Sequence, residues 1–193
     1  MGSRAAGELV VEAVQAEAGD AHSREITPEN SPLCELALAR VGFEAGRLVM
    51  KPEDFLRGID RAKVVSAIRA AERQTNGQIR VVVSRHRPTD TMRSARQAFA
   101  RLKMTRTSRR NSVLIFLAPG TQSHAIVGDI SVQEKCGDDF WQEVVEVMGI
   151  HLRKGEFTVA ILTGVEKVGA LLGEHFPRQP GDSNELPDDI VEE

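Results

Sequence analysis

Four acidic residues lie close together in one stretch of the chain, where carboxylate oxygens can hold a metal ion. Asp129 follows a predicted buried strand, Glu134 and Asp138 are four residues apart in the helix predicted next, and Asp139 is beside them. Residues four apart share one face of a helix, so their like charges repel unless something neutralises them. A hard cation with oxygen ligands, Ca²⁺ or Mg²⁺, is suited to that role. The spacing therefore predicts a cation site made of these four acids.

The same acids also have a purely structural interpretation. The segment Ser131–Glu134 has the S-x-x-E pattern of a capping box at the start of a helix. Acids near a helix N-terminus also interact favourably with the helix dipole. In this alternative, Glu134 completes the cap, and Asp138 and Asp139 are ordinary surface charges.

Sequence motifs for catalysis and nucleotide binding are absent. The chain has no P-loop, G-x-G-x-x-G, H-E-x-x-H, EF-hand loop or G-x-S-x-G. Its five histidines are scattered, and Cys34 and Cys136 match no metal-ligand spacing. Reduced thiols in a cytoplasmic protein fit these cysteines better than a disulfide. No catalytic residue can be assigned, and enzymatic activity stays an open question.

Charge is distributed unevenly along the chain. A run of ten basic residues is opposed only by Asp90; the ten are Arg80, Arg85, Arg87, Arg93, Arg96, Arg101, Lys103, Arg106, Arg109 and Arg110. The segment Gly181–Glu193 is acidic and has no basic residue. The basic run is either a surface for a polyanion or a solvated face balanced by acids elsewhere in the fold. Arg109 and Arg110, in the loop before the predicted central strand, are candidates to hold phosphate.

The elements that must position these residues can be predicted from apolar periodicity. Hydrophobic residues make up 41% of the 193 residues and aromatic residues only 4%, so the core must be mainly aliphatic. The expected elements are a helix from Asp60, a strand Ile79–Ser84, a helix Asp90–Met104, strands Ser112–Ala118 and Ser123–Gly128, a helix from Ser131, and a helix Glu156–Leu172 that buries Val159. Helices on both faces of a small mixed sheet make a three-layer α/β/α sandwich. The first two strands, joined through a helix, should be parallel.

Three regions are expected along the chain. Residues 1–49 form an N-terminal extension, disordered or weakly helical, in which Leu33–Arg40 is a candidate short helix; Met50 would make a plausible native start. Residues 50–178 form the domain, and residues 179–193 form an exposed acidic tail. There is no signal-peptide pattern and no apolar run of the roughly 20 residues needed to span a bilayer. The sequence predicts a cytoplasmic protein, which can also be peripheral to the membrane.

Several segments resemble the TPM domain family. Val127-Gly128-Asp129, followed by the stretch from Glu134 to Trp141, carries the strongest similarity. The helix-to-strand passage Thr75–Val81, the strand Asn111–Ile115 and the segment Asn184–Asp188 are similar as well. The family includes a plant thylakoid-lumen phosphatase, a photosystem II repair protein and an auxiliary subunit of nematode acetylcholine receptors.

The resemblance implies an α/β/α sandwich that binds a divalent cation, Ca²⁺ or Mg²⁺, at Asp129 with Glu134, Asp138 or Asp139 as neighbours. It also implies a role at the envelope from the cytoplasmic side, with a membrane protein of the LemA type as a partner; nucleic acid is not expected. Three functions follow as hypotheses. The first is a non-enzymatic cation-binding interaction or accessory module. The second is a weak metal-dependent phosphatase, and the third is polyanion binding through the Arg80–Arg110 basic face.

Three residues depart from the family pattern. Gln78 replaces a frequent Glu, Ser112 replaces the usual Gly, and Ser131 replaces a common Gly. Compared with Glu, Gln78 keeps a carbonyl oxygen but lacks the negative charge, which would weaken a cation site to which it contributes. Ser131 lacks the backbone freedom of glycine, so the loop must differ from that of relatives if the family conformation needs a positive φ there.

Overall fold

A mixed sheet of five strands forms the centre of the protein. The computed structural model describes residues 38–40, 50–136 and 138–193, with the backbone alone described at 38–40, 138 and 139. In the order β1-β4-β3-β2-β5, the strands are β1 (Leu38–Arg40), β4 (Ser123–Gly128), β3 (Ser112–Ala118), β2 (Gln78–Val83) and β5 (Ile190–Glu192).

Six α-helices connect and cover these strands within the described residues. They are α1 (Pro52–Arg57), α2 (Arg61–Glu72), α3 (Thr91–Arg101), α4 (Ile130–Gln133), α5 (Asp138–Lys154) and α6 (Phe157–His175). The carboxylate of Asp60 accepts a hydrogen bond from the backbone N–H of Lys63 (3.1 Å), which fixes the predicted start of α2. Asp90 caps α3 in the same way through Arg93 (2.9 Å).

The three central strands confirm the sequence prediction. Their runs of aliphatic residues are buried along their whole length, as expected of strands covered on both faces. β2 is parallel to β3, with Val81 opposite Ile115. β3 and β4 form the predicted antiparallel hairpin, with Ile115 opposite Ile126.

Alternating side chains of the sheet contribute to two separate cores. One core lies against α2, α5 and α6 and contains Trp141, Ile68 and Ile115; the other lies against α3 and contains Phe99 and Phe116. Helices therefore cover both faces of the sheet. The predicted three-layer α/β/α sandwich is confirmed.

Three helix predictions were wrong at particular residues. The helix predicted from Ser131 is divided into α4 and α5, so Glu134 and Asp138 do not share one helix. Leu38–Arg40, predicted as helix, is a strand paired with β4. Val159, predicted to be buried, is one of the two large apolar side chains exposed among the described residues. It lies in the first turn of α6, next to the buried Ala160 and Ile161.

The acidic tail is also placed differently from the prediction. Instead of being exposed throughout, the segment runs along the sheet and ends in β5, parallel to β2, with Ile190 buried. Opposite charges on the segment and on the sheet edge make this placement favourable. The interpretation of residues 1–37 and 41–49, including Cys34, falls outside the described residues.

Candidate functional site

The buried carboxylate of Asp129 is paired with the guanidinium of Arg110. Arg110 Nε donates to Oδ2 of Asp129 and Arg110 Nη2 donates to Oδ1, each at 2.8 Å. Oδ1 also accepts the backbone N–H of Ile130 at 2.8 Å. The Asp129 side chain has no solvent exposure. This two-point geometry is the strong form of an arginine–carboxylate pair.

The backbone around this pair brings two loops together. Asp129 donates its N–H to the carbonyl of Ser112 (2.9 Å), and Ser131 donates its N–H to the carbonyl of Arg110 (3.2 Å). Arg110 has a φ of 51°, in the left-handed region, and this conformation directs the loop toward Asp129. The hydrogen bond with Asp129 raises the pKa of Arg110.

Asp129, not Ser131, caps the short helix α4. Its side chain occupies the N-cap position, while Ser131 lies inside the helix, so the predicted capping box is wrong. A buried carboxylate that already faces the first N–H groups leaves no role for the Ser131 hydroxyl. Ser131 is not among the described residues with positive φ, so the loop does not need glycine there.

Of the other predicted acids, Glu134 is the one whose side chain the structure describes. Glu134 is exposed at the end of α4. Asp138 and Asp139 begin α5, and their side chains lie outside the described residues. Among the described residues, no three of the His, Cys, Asp and Glu side chains are grouped so as to hold a metal. Both oxygens of Asp129 already accept from Arg110, and the Asp129 side chain has no solvent exposure.

Arg109, the second candidate for phosphate binding, points to a different acid. Its Nη2 lies 3.8 Å from Asp182. Asp182 also accepts from Asn76 (3.1 Å), which in turn accepts from Asn111 (2.8 Å). The pKa of Asp182 is lowered mainly by the hydrogen bond from the backbone N–H of Gln179 and next by the one from the Asn76 side chain. Arg109 and Arg110 are therefore neighbours in sequence whose partners differ.

The acidic segment neutralises part of the predicted basic face, in agreement with the alternative of a face balanced by acids elsewhere in the fold; the sequence did not predict which acids these are. Arg85 binds Glu192, and Arg101 binds Glu193. Two arginines of α2 do the same: Arg61 lies 3.2 Å from Asp189 and Arg69 lies 3.3 Å from Asp188. The opposite signs of the two segments were the available signal, because a basic run and an acidic run in one chain favour each other.

Gln78 and Arg80 hold the start of this acidic segment. Oε1 of Gln78 accepts the backbone N–H groups of Glu185 (3.0 Å) and Leu186 (2.9 Å). Arg80, which is buried, donates Nη1 to the carbonyl of Pro187 at 2.6 Å. The amide oxygen of Gln78 thus serves a backbone contact.

Glu72 is a buried acid at the same edge of the sheet. It is 4% exposed, and its Oε1 accepts the backbone N–H of Ile79 at 2.8 Å. Burial, reinforced by the nearby carboxyl of Asp188, raises the pKa of Glu72 to about 8. Cys136 is buried as well, and burial raises the pKa of its thiol to about 11, which makes it a poor nucleophile.

Comparisons with known proteins identify relatives of this fold. A family model of the TPM domain matches residues 49–171. The chain is 30% identical to the BA42 protein of the psychrophilic bacterium Bizionia argentinensis, solved by NMR, with a TM-score of 0.65 over 78% of this chain and 99% of that chain. None of the curated proteins compared with the chain is significantly similar to it. Within the described residues, no helix combines the length and apolar character needed to cross a membrane.

Proposed function

The chain belongs to the TPM domain family, and from this premise we propose that it works as a non-enzymatic interaction or accessory module. The proposal is supported by one observation above all: the buried acid that a metal or a reaction would use, Asp129, already has both oxygens bound by Arg110. A general base or metal ligand needs an accessible lone pair on its carboxylate. Asp129 has no such access.

Phosphatase activity has less support. A phosphatase needs cationic groups free to hold the phosphoryl oxygens, and it gains from a metal that activates water. The guanidinium of Arg110 is used by Asp129, and Arg109 faces Asp182.

Polyanion binding through the Arg80–Arg110 face has less support for a similar reason. Arg85 and Arg101 of that face are bound to carboxylates of the chain itself. A phosphate backbone would have to displace those carboxylates to reach these two arginines.

Cation binding through Glu134, Asp138 and Asp139 stays a prediction that this proposal does not require. As the partner class we propose a membrane protein of the LemA type, engaged from the cytoplasmic side, on the basis of the family resemblance. The module would then be peripheral to the membrane.

Hydrolysis of a generic phosphoester with Ca²⁺ or Mg²⁺ present tests the non-enzymatic part of the proposal. The wild-type chain, Asp129→Asn and Arg110→Lys should all show the background rate of buffer plus metal. Metal-dependent hydrolysis by the wild type that is lost in Asp129→Asn, but kept in a matched Asp54→Asn control on α1, would contradict it.

A further inference from the structure

The edge of β2 binds the segment 188–193 as an extended strand. β5 pairs with β2 in parallel register, with Val81 opposite Ile190 and Val83 opposite Glu192. The backbone N–H of Glu193 donates to the carbonyl of Val83 (3.2 Å), and Arg85 donates its N–H to the carbonyl of Glu193. Addition of a strand to an exposed sheet edge is a common way for one protein to bind an extended segment of another.

Side chains on both faces of β5 fit this edge. Ile190 is buried in the core on the α2 side of the sheet. Val191 is half-buried and packs against the core on the α3 side. Two consecutive apolar residues thus anchor the strand, one on each face, because successive side chains of a strand point to opposite faces.

Arginines on three elements surround the edge and select acidic residues. Asp188 and Asp189 meet arginines of α2; Glu192 and Glu193 meet the arginine that follows β2 and the one that ends α3. The four side chains, 47–62% exposed, are Arg61, Arg69, Arg85 and Arg101. The edge therefore recognises a segment with acids on both sides of two apolar residues.

The hold on residues 188–193 is weak compared with the rest of the sheet. β5 has three residues, and residues 178–189 before it form no helix or strand. Ion pairs of half-exposed arginines contribute little to stability and are screened by salt. Gln78 and Arg80 bind the chain at 185–187, upstream of the strand. These contacts would hold residues 185–187 in place if the strand were released.

A pocket of mixed polar and apolar lining continues from this edge. It has a volume of about 470 Å³ and lies where β2 ends, beside α3. Its lining includes the polar side chains Ser84, His86, Ser94, Gln97 and Arg101, with Glu193 at one wall. Ligands of open α/β sheets bind at the carboxyl ends of parallel strands, which is where this pocket lies.

We propose that the β2 edge, together with this pocket, is a docking site for an extended acidic segment of a partner protein, which replaces residues 188–193. The inference rests on the proposed interaction role and names the chemistry of the partner. A second copy of this chain would offer the β2 edge the same contacts that the tethered segment already makes. It would do so at a lower effective concentration, so it would not replace that segment. A partner that also fills the pocket gains contacts that the tethered segment does not make.

Binding of a peptide to an opened full-length chain tests this inference. Ile190→Gly combined with Val191→Gly weakens β5 and leaves the acceptor side unchanged. Amide NMR should show residues 188–193 released while β2, β3 and β4 stay intact. A fluorescent peptide with the sequence of residues 187–193 should then bind saturably, and roughly 10-fold or more of its affinity should be lost on moving from low to high salt.

Matched controls decide the outcome. The same peptide with its acids changed to amides should bind about 10-fold more weakly, since the arginines lose their charged partners. Adding Arg85→Glu and Arg101→Glu to the opened chain should abolish binding. Release of residues 188–193 without saturable peptide binding overturns the inference, as does equal binding of the acidic and amide peptides.

Two further results would also overturn it. If the wild-type chain forms a dimer by exchanging β5 between copies, the β2 edge binds a second copy of this chain and not a partner protein. If β5 amides exchange hydrogen as slowly as those of β3 in the wild type, the strand opens only on global unfolding. Either result would leave the hydrolysis test of the interaction role unaffected.

Discussion

Arg110 donates hydrogen bonds to both carboxylate oxygens of Asp129, each at 2.8 Å, across 19 residues of sequence. The acid is fully buried and the arginine is partly exposed. Arg110 therefore supplies the positive charge that balances the buried carboxylate of Asp129.

Removal of Arg110 should destabilise the fold strongly. Arg110→Ala leaves a buried carboxylate without its partner, and we expect a loss of about 3 kcal/mol in the free energy of unfolding. Arg110→Lys should lose less, because an ammonium keeps the charge but not the two-point geometry. Urea unfolding measures both. Arg109→Ala is the matched control and should change stability by less than about 0.5 kcal/mol; an equal loss in both variants would show that the pair is not special.

Glu72 should make stability depend on pH. Its pKa is raised from the ordinary 4.5 to about 8, so the folded state binds more protons than the unfolded state between these values. The free energy of unfolding should therefore fall as pH rises from about 4.5 to about 8 and level off above that. Urea unfolding at a series of pH values measures the slope. Arg80 and Asp188 are the charged groups that act on Glu72.

Glu72→Gln should flatten this pH dependence. The amide oxygen of Gln can still accept the N–H of Ile79 but has no proton to lose. Glu166→Gln, at an exposed position of α6, is the control and should keep the wild-type slope. An unchanged slope in Glu72→Gln would assign the pH dependence to another group.

Two glycines of α6 should respond in opposite directions to replacement by alanine. A Cβ at Gly169 would lie 2.6 Å from the Cβ of Ala71 on α2, whereas one at Gly173 would meet only Gln74, at 3.9 Å. Gly169→Ala should cost about 1–3 kcal/mol through overpacking. Gly173→Ala should gain up to about 1 kcal/mol from helix propensity. Thermal unfolding compares the two, and a stabilised Gly169→Ala would contradict the close packing of α2 on α6.

Neutralising the acidic segment should unmask the basic face. With Asp188→Asn, Glu192→Gln and Glu193→Gln combined, Arg69, Arg85 and Arg101 lose their charged partners. We expect this variant to elute from heparin at clearly higher salt than the wild type. The control carries the same charge change on exposed positions of α5 and α6, namely Glu146→Gln, Glu166→Gln and Glu174→Gln. Equal retention of both variants would mean that net charge alone decides.

The sheet could be predicted from the sequence because its signals are local. Ser112–Ala118 and Ser123–Gly128 are aliphatic runs separated by a turn, and the structure gives them the same bounds. Asp60 marked the start of α2 because an acid before an apolar periodic stretch is an N-cap signal.

The partners of the charged residues could not be predicted in the same way. The sequence indicates Asp129 as a candidate metal ligand and Arg110 as a candidate phosphate-binding residue. It does not indicate that they bind each other, because no local pattern links residues in two separate loops. The pairing of Arg85 with Glu192 joins positions 107 residues apart. Such contacts depend on the fold that brings β5 beside β2.

NMR during titration with Ca²⁺ and Mg²⁺ tests most directly the claim that Arg110 neutralises Asp129. The signals to follow are the amides of Asp129 and Ile130 and the Nε–H of Arg110. We predict that all three stay unchanged at millimolar metal, because Arg110 keeps both carboxylate oxygens. A saturable shift of these three signals, with release of the Arg110 Nε–H from its hydrogen bond, would contradict the account.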